Sequence, residues 1–424
     1  MLIQANALHI PLADQSVHMV CFSPPYWKQR NYEVAGQLGL EDSPQEFIAA
    51  LMVAMAEVWR VLRDDGVCFV NIDDSYMTDA KGPKGADKST LAGGGDWQYK
   101  TSPPGFGTKR QPGLSRKSMA LIPERFVIAA SDVGWIVRAK PIWHKPGPMP
   151  SSAKDRPTHS YENVYMLTKK PRYSSDFHAV RQPSKASSDM SSGRNGKPRL
   201  PLPGQNAMQH RPERKGGGNF SRRSVEAQPE HGAPALERGD YSAGKNIHDV
   251  WTITAKGYPG PHYAAFPEKL AARLVKAGTS EKGCCPACGK QWERVVERDT
   301  DYPDGYGNMG ANASKWMDKD KQSSGHRIQK NLNALRAAGR DHDNPFPARM
   351  TVGWQPTCDC GHEPVPCIVL DPFVGSGTTV KVARELGRRG IGLDLSMPYL
   401  RLAQERNQQR TVWEFAFEKK CRFS

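Results

Sequence analysis

Val369-Leu-Asp-Pro-Phe-Val-Gly-Ser-Gly-Thr-Thr379 is the stretch that decides the fold. Cys367 to Leu370 is a short apolar, β-branched run that Asp371 ends, Gly375 and Gly377 permit a tight turn, and Thr378 to Leu386 can start a helix. The reading is a strand, a glycine turn and a helix. Such a turn leaves backbone N–H groups unpaired at a helix N-terminus, and the missing Cβ atoms let a ligand approach the main chain. Nineteen residues after Gly375, a second apolar run, Gly390-Ile-Gly-Leu, ends in Asp394. A nucleotide-binding α/β fold places there the carboxylate that holds ribose hydroxyls, so a nucleoside is expected. The turn carries no lysine and lacks the Gly-Lys-Ser/Thr ending of a phosphate-cradling loop, which favours S-adenosylmethionine over ATP. From this stretch alone, a generic nucleotide fold and a plain strand–turn–helix both stay open.

The chain has 424 residues, enough for two or three domains or for one α/β core with long insertions. Its 39 glycines and 34 prolines, about one residue in six, favour the second. A formal charge of +15 points to a polyanionic partner, and nucleic acid is the commonest. No run of 18 apolar residues occurs, and Met1-Leu-Ile-Gln-Ala-Asn6 has no charged region leading into an apolar one. A soluble, cytoplasmic protein without membrane contact is expected.

Val17-His-Met-Val-Cys-Phe22 is a mostly apolar run that stops at Ser23-Pro24-Pro25-Tyr26-Trp27. Two prolines cannot continue a sheet and fix a rigid, extended exit, so the Ser23 hydroxyl, the Pro24 carbonyl and the Tyr26 ring are held at the strand's C-terminal edge. Open α/β sheets bind ligands at that edge. Ser23-Pro-Pro-Tyr26 together with Asp371-Pro-Phe-Val-Gly-Ser-Gly-Thr-Thr379 resembles the amino-methylating DNA methyltransferases, which act on N4 of cytosine or N6 of adenine. The catalytic motif precedes the cofactor motif, the order of that family's beta class. The resemblance runs in patches over most of residues 1–175 and 247–412.

The resemblance implies a Rossmann-like class I S-adenosylmethionine-dependent methyltransferase sheet with helices on both faces, to which composition and cysteine spacing add a basic insertion and a small zinc-ribbon-like insertion. Residues 1–175 form the catalytic half, with a mobile basic loop at 79–117 carrying eight Lys/Arg against three Asp. Residues 176–246 form a low-complexity insertion, a site of target recognition or a linker; its twelve Lys/Arg against seven Asp/Glu over 176–245 cannot bury a core alone. A cofactor-side helix segment spans 247–283, the zinc-ribbon-like insertion 284–362, the S-adenosylmethionine-binding half 363–412 and a tail 413–424. By resemblance Asp371, Pro372, Phe373, Gly375, Ser376, Gly377, Thr378 and Asp394 hold the cofactor, with Phe266 and Pro267 flanking it. A helix start would explain Pro267 equally well. The block from Gly134 to Thr168 resembles the segment that closes over the target base, with Lys145 and Arg156 as phosphate or base contacts; two exposed loop charges are the plain alternative.

Other stretches speak for themselves. Ser43-Pro-Gln-Glu46 is a capping box with proline at the first helical position, followed by one apolar face of Phe47, Leu51, Met55, Val58 and Leu62. Gly66 to Ile72, Gly134 to Trp143 and Val164 to Thr168 read as strands, and Ile122 to Val133 as a helix. Asp73-Asp74 after the first of these strands reads as a catalytic pair, a metal pair or a capped turn, and the resemblance favours the turn. Cys285 and Cys288 have knuckle spacing, and Cys358 and Cys360 a tighter one; four thiolates suit tetrahedral zinc, so a structural zinc ribbon is expected. Its 69 intervening residues form a long excursion, and Cys284 and His362 are alternative ligands.

An exocyclic base amine is a poor nucleophile because its lone pair is delocalised into the ring. The Ser23 hydroxyl and Pro24 carbonyl can accept its hydrogens and aim the lone pair at a sulfonium methyl, an in-line positioning that supplies ~7–11 kcal/mol. The target base must leave the duplex and stack, on Tyr26 in this reading. Serine at the first motif position favours cytosine N4, with adenine N6 as the alternative. Methylation of RNA or a protein glutamine, and an inactive nucleic-acid-binding zinc protein, complete the readings. A C5-cytosine enzyme, suggested by Pro366-Cys367 and Glu162-Asn-Val164, is set aside because the motif order is wrong. Double-stranded DNA is the expected partner, with a cognate restriction endonuclease in the cell.

Overall fold

The computed structural model describes residues 1–77, 113–148, 151, 153–183, 244–254, 266–298 and 349–407. Nearly all of the basic loop 79–117, most of the insertion 176–246, the excursion over 299–348 and the tail 413–424 lie outside the described residues. The chain divides into two compact units: residues 1–182, 246–295 and 352–424, and residues 183–245 with 296–351. The main sheet and the cavity belong to the first.

The centre of the first unit is a mixed sheet. In spatial order it runs β1 (Leu2–Gln4), β13 (Arg389–Asp394), β12 (Ile368–Asp371), β2 (Val17–Phe22), β3 (Leu62–Ile72), β6 (Tyr161–Thr168), β5 (Ile142–His144) and β9 (Val250–Thr252), with β4 (Ile136–Ala139) also on β6. Two small sheets pair β7 (Gln182–Pro183) with β8 (Gly244–Lys245) and β10 (Glu293–Arg298) with β11 (Arg349–Gln355). β1, β13, β12, β2 and β3 are parallel, and β6 turns antiparallel to β3. From β12 the chain moves outward to β13, and from β2 it moves the other way to β3. This reversal leaves a crevice beyond the carboxyl ends of β12 and β2, where doubly wound sheets bind ligands.

Alternation builds both faces of the core. Val20 and Phe22 of β2, with Cys68, Val70 and Ile72 of β3, pack beneath α1 (Pro44–Val61) and α2 (Ile122–Asp132). Met19 and Cys21, with Val67 and Phe69, pack on the other face against α3 (Glu268–Gly278) and α4 (Thr378–Glu385). Every residue of β2 is buried, as expected of a strand covered on both sides. The capping box is formed: the Glu46 N–H donates to Ser43 Oγ and the Ser43 N–H to Glu46 Oε2, each at 3.1 Å.

Some boundaries differ from the sequence expectation. The run from Gly134 to Trp143 is two strands, because Pro141 has no N–H to donate and splits it into β4 and β5. β6 begins at Tyr161, three residues earlier than its apolar run suggests, and so carries Glu162 inside the sheet.

Candidate active site

β2 and β12 lie side by side, with Leu370 opposite Val20, so the two motifs leave the sheet together. The Phe22 and Phe373 rings meet 5.4 Å apart at the exit. Beyond Asp371 the chain turns on Gly375 (φ +48°) and Gly377 (φ +81°), both in the left-handed region that favours glycine. A Cβ on Gly377 would lie 2.8 Å from the Ala403 Cβ, so this turn also fits closely against the helix over residues 397–407. Asp394 at the end of β13 holds the turn: its Oδ2 accepts the Gly375 N–H at 3.0 Å and its Oδ1 the Ser396 N–H at 2.8 Å. Burial pushes the Asp371 carboxyl up to about 7, opposed by the Phe373 N–H it accepts at 3.0 Å. Burial raises Asp394 as well.

One cavity of about 890 Å³ opens over this edge. Ser23, Pro24, Pro25 and Tyr26 line it from one side; Asp371, Pro372, Phe373, Gly375, Ser376, Thr378 and Asp394 line it from the other, with Phe266 and Lys145. Pro267 is buried as the N-cap of α3, and Gly377 is buried as the N-cap of α4; neither is among the lining residues. Arg156 does not line the cavity; its guanidinium stacks 3.7 Å from the centre of the Tyr76 ring. Cys367 is fully buried at the start of β12 and is not among the lining residues, which agrees with setting the C5 chemistry aside.

Around Tyr26 lies an array the sequence reading does not contain. Ser23 Oγ donates to Tyr26 Oη at 3.1 Å, and Tyr26 Oη donates to Glu162 Oε2 at 2.5 Å. Asn71 Nδ2 reaches both Tyr26 Oη (2.9 Å) and Glu162 Oε2 (2.5 Å), and Lys145 Nζ pairs with Glu162 Oε1. Burial, then the charges of Glu162 and Asp73, hold the Tyr26 hydroxyl well above the usual phenol range, so it keeps its proton. Asp73 Oδ1 lies 2.7 Å from His159 Nε2, and this bond raises the imidazole pKa. Asp74 instead accepts the N–H groups of Ser75, Leu121 and Ile122, the capped turn expected of this pair. Glu162 and Asn71 were findable only as polar residues set in apolar strands.

The chain has relatives among known proteins. Residues 17–285 and 313–405 match the family described as DNA methylase. The chain belongs to this N4/N6 DNA methyltransferase family. Type II methyltransferase M.SfiI of Streptomyces fimbriatus is 30% identical over 419 residues, covering 92% of this chain and 86% of its own. M.SmaI of Serratia marcescens is 26% identical over 391 residues, covering 92% and 84%. Among solved structures, PvuII DNA methyltransferase (cytosine-N4-specific) aligns with a TM-score of 0.46 at 13% identity over 95% of this chain and 84% of that one.

This N4/N6 methyltransferase uses S-adenosylmethionine to methylate an exocyclic amine of DNA. The residues at the cavity suit that cofactor: the carboxylates of buried Asp371 and half-buried Asp394 line it and can balance a cationic ligand, beside a glycine turn. Away from the cavity, the sulfurs of Cys285, Cys288, Cys358 and Cys360 all lie within 4.8 Å of one another. Each pair is followed by a left-handed glycine, Gly289 (φ +72°) and Gly361 (φ +69°). Of the alternative ligands, Cys284 falls in a separate buried group with His18 and Cys367, and His362 is in neither group. Among the described residues, no helix is long and apolar enough to cross a membrane.

Proposed function

We propose that this methyltransferase modifies N4 of cytosine in double-stranded DNA. The observation that carries the reading is the shared cavity, lined by Ser23 to Tyr26 from one end of the chain and by Asp371 to Ser376, Thr378, Thr379 and Asp394 from the other. S-adenosylmethionine supplies an electrophilic methyl group. Asp371 and the turn through Gly375, Ser376, Gly377 and Thr378 hold it, with Pro372, Phe373, Phe266 and Pro267 packing around it and Asp394 bracing the turn. Ser23 Oγ and the Pro24 carbonyl accept the amine hydrogens and turn its lone pair toward the methyl carbon. The extruded base stacks on Tyr26. Lys145 and Arg156 serve the DNA side, Lys145 from within the cavity and Arg156 from outside it.

Serine at position 23 favours cytosine over adenine by the resemblance, and adenine N6 is the second reading. The relatives' designation as type II methyltransferases supports a companion restriction endonuclease in a bacterial or phage-infected cytoplasm. Zinc is proposed at the four cysteines. A tetrahedral ion with Zn–S near 2.3 Å spaces its sulfurs by roughly 3.8 Å, a set that a cluster within 4.8 Å can close, and four thiolates with no His or Glu in the cluster among the described residues suit a structural role.

The test is to methylate unmodified genomic DNA, digest it to nucleosides and weigh them. N4-methyldeoxycytidine is the expected product. N6-methyldeoxyadenosine establishes the second reading, and transfer to RNA but not DNA overturns both. Ser23→Ala or Tyr26→Ala is expected to remove most transfer while cofactor binding stays.

A further inference from the structure

Methylation of an amine leaves a proton to dispose of. A nitrogen–carbon bond forms as the carbon–sulfur bond breaks, the sulfur keeps the electron pair, and the nitrogen, still bearing two hydrogens, becomes cationic. Neutral product requires that one hydrogen leave as a proton. In a cavity closed by DNA, bulk water is not the ready acceptor, so a path through the protein is useful.

We propose that Ser23, Tyr26 and Glu162 form a proton line from the base amine to a buried carboxylate, with Asn71 and Lys145 holding its far end. The hydrogen bonds already point one way. Ser23 Oγ donates to Tyr26 Oη at 3.1 Å, and Tyr26 Oη donates to Glu162 Oε2 at 2.5 Å. When the amine gives its proton to Ser23 Oγ, the serine passes its own to Tyr26 Oη, and the tyrosine passes its own to Glu162. Serine and tyrosine end neutral, and the carboxylate ends protonated. Each bond breaks where the next forms, and no further reactant is needed.

The orientation of the supporting groups is fixed by chemistry. Glu162 only accepts when ionised, so the Asn71 amide must turn its NH2 toward Oε2 at 2.5 Å. Lys145 occupies the other oxygen. Glu162 is 7% exposed and Asn71 2%, so neither geometry is a passing surface contact. Asp73 and His159, also at the cavity, pair with each other at 2.7 Å rather than with the line. Tyr26 keeps its proton because of its burial and its acidic neighbours, which makes it a conduit and not a base. Glu162 acts through Tyr26 and Ser23, so it is a positioning and accepting residue at the cavity wall.

The proposal rests on the Ser23–Tyr26 site reading, and the experiment separates the two. The full chain, Glu162→Gln, Tyr26→Phe and Ser23→Ala are compared in single-turnover transfer from labelled S-adenosylmethionine to DNA, in H2O and D2O, with cofactor and DNA binding measured alongside. Glu162→Gln removes the proton acceptor, and Tyr26→Phe removes the relay hydroxyl while keeping the ring and adding no charge. Each is expected to slow transfer by about 10²- to 10⁴-fold, the usual scale of proton-transfer catalysis, with binding unchanged and the wild-type solvent isotope effect lost. Wild-type rate and isotope effect in either variant, with Ser23→Ala inactive, overturns the proton line and leaves the site standing. A rate loss matched by lost cofactor binding, with the isotope effect intact, also overturns it. Wild-type transfer by Ser23→Ala overturns the site itself.

Discussion

Gly377→Ala tests the cofactor turn with a built-in control. At φ +81° an L-residue pays about 1–2 kcal/mol for the left-handed conformation. The new methyl would also stand 2.8 Å from the Ala403 Cβ and 3.2 Å from its Cα, backbone that cannot swing aside as a flexible side chain would. Overpacking of that kind costs about 1–3 kcal/mol, for a total of about 2–5 kcal/mol. Gly387 has nearly the same dihedral, φ +75°, yet nothing lies within 4 Å of the Cβ it would gain. Gly387→Ala should therefore cost only the dihedral part. The two costs are read from urea unfolding, and cofactor affinity from calorimetry. If the strained turn relaxes in the free protein, binding must restore it, and every 1.4 kcal/mol becomes a tenfold loss, so 2 kcal/mol weakens binding roughly 30-fold. Gly387→Ala should bind normally. Equal stability losses in the two variants, with unchanged cofactor affinity in Gly377→Ala, would refute the reasoning.

The carboxyl of Asp371, raised to about 7 from 3.8, predicts a pH effect. Between those values the folded protein holds a proton that the unfolded chain has lost, so this group's contribution to stability is greatest in acid and declines as pH rises to about 7. A cationic cofactor favours the carboxylate, so binding should release a proton near neutrality and strengthen with pH up to about 7; calorimetry in buffers of different ionisation enthalpy reads this, and Asp371→Asn should abolish it. Elemental analysis should find one zinc per chain, and Cys288→Ser should lose it and lower stability by at least about 2 kcal/mol, or roughly 4–8 °C in Tm; a metal-free wild type with the same Tm contradicts the ribbon. Phe69→Ala, in the core between β3 and α3, should cost about 3–5 kcal/mol by urea titration, and a loss under 1 kcal/mol would mean that this layer is not packed as described.

What the sequence shows and hides follows the range of each interaction. Val369 to Thr379 and Ser23 to Tyr26 are contiguous, so strand, proline exit and glycine turn can each be read locally. Their meeting rests on a general rule about open sheets, and β2 and β12 obey it. Asn71 and Glu162 are 91 positions apart and reach Tyr26 only because β3 and β6 pair antiparallel, with Asn71 opposite Val164. No local pattern announces that register. Lys145 stood out in the sequence and lines the cavity, yet its partner did not, because Glu162 belongs to a strand whose apolar run begins two residues later. Asp394 was read as a ribose ligand, and its two bonds to the Gly375 and Ser396 N–H groups show a structural duty that spacing alone does not reveal.

The central claim is that a methyl donor held by the late glycine turn faces a base held by the early proline motif. A crystal structure with S-adenosylhomocysteine and a DNA duplex bearing the target site measures this directly. The account predicts a flipped base on Tyr26, its exocyclic nitrogen bonded to Ser23 Oγ and the Pro24 carbonyl and lying about 3–3.5 Å from the position of the missing methyl carbon. A base left in the duplex, or a cofactor sulfur pointing away from Tyr26, would contradict it.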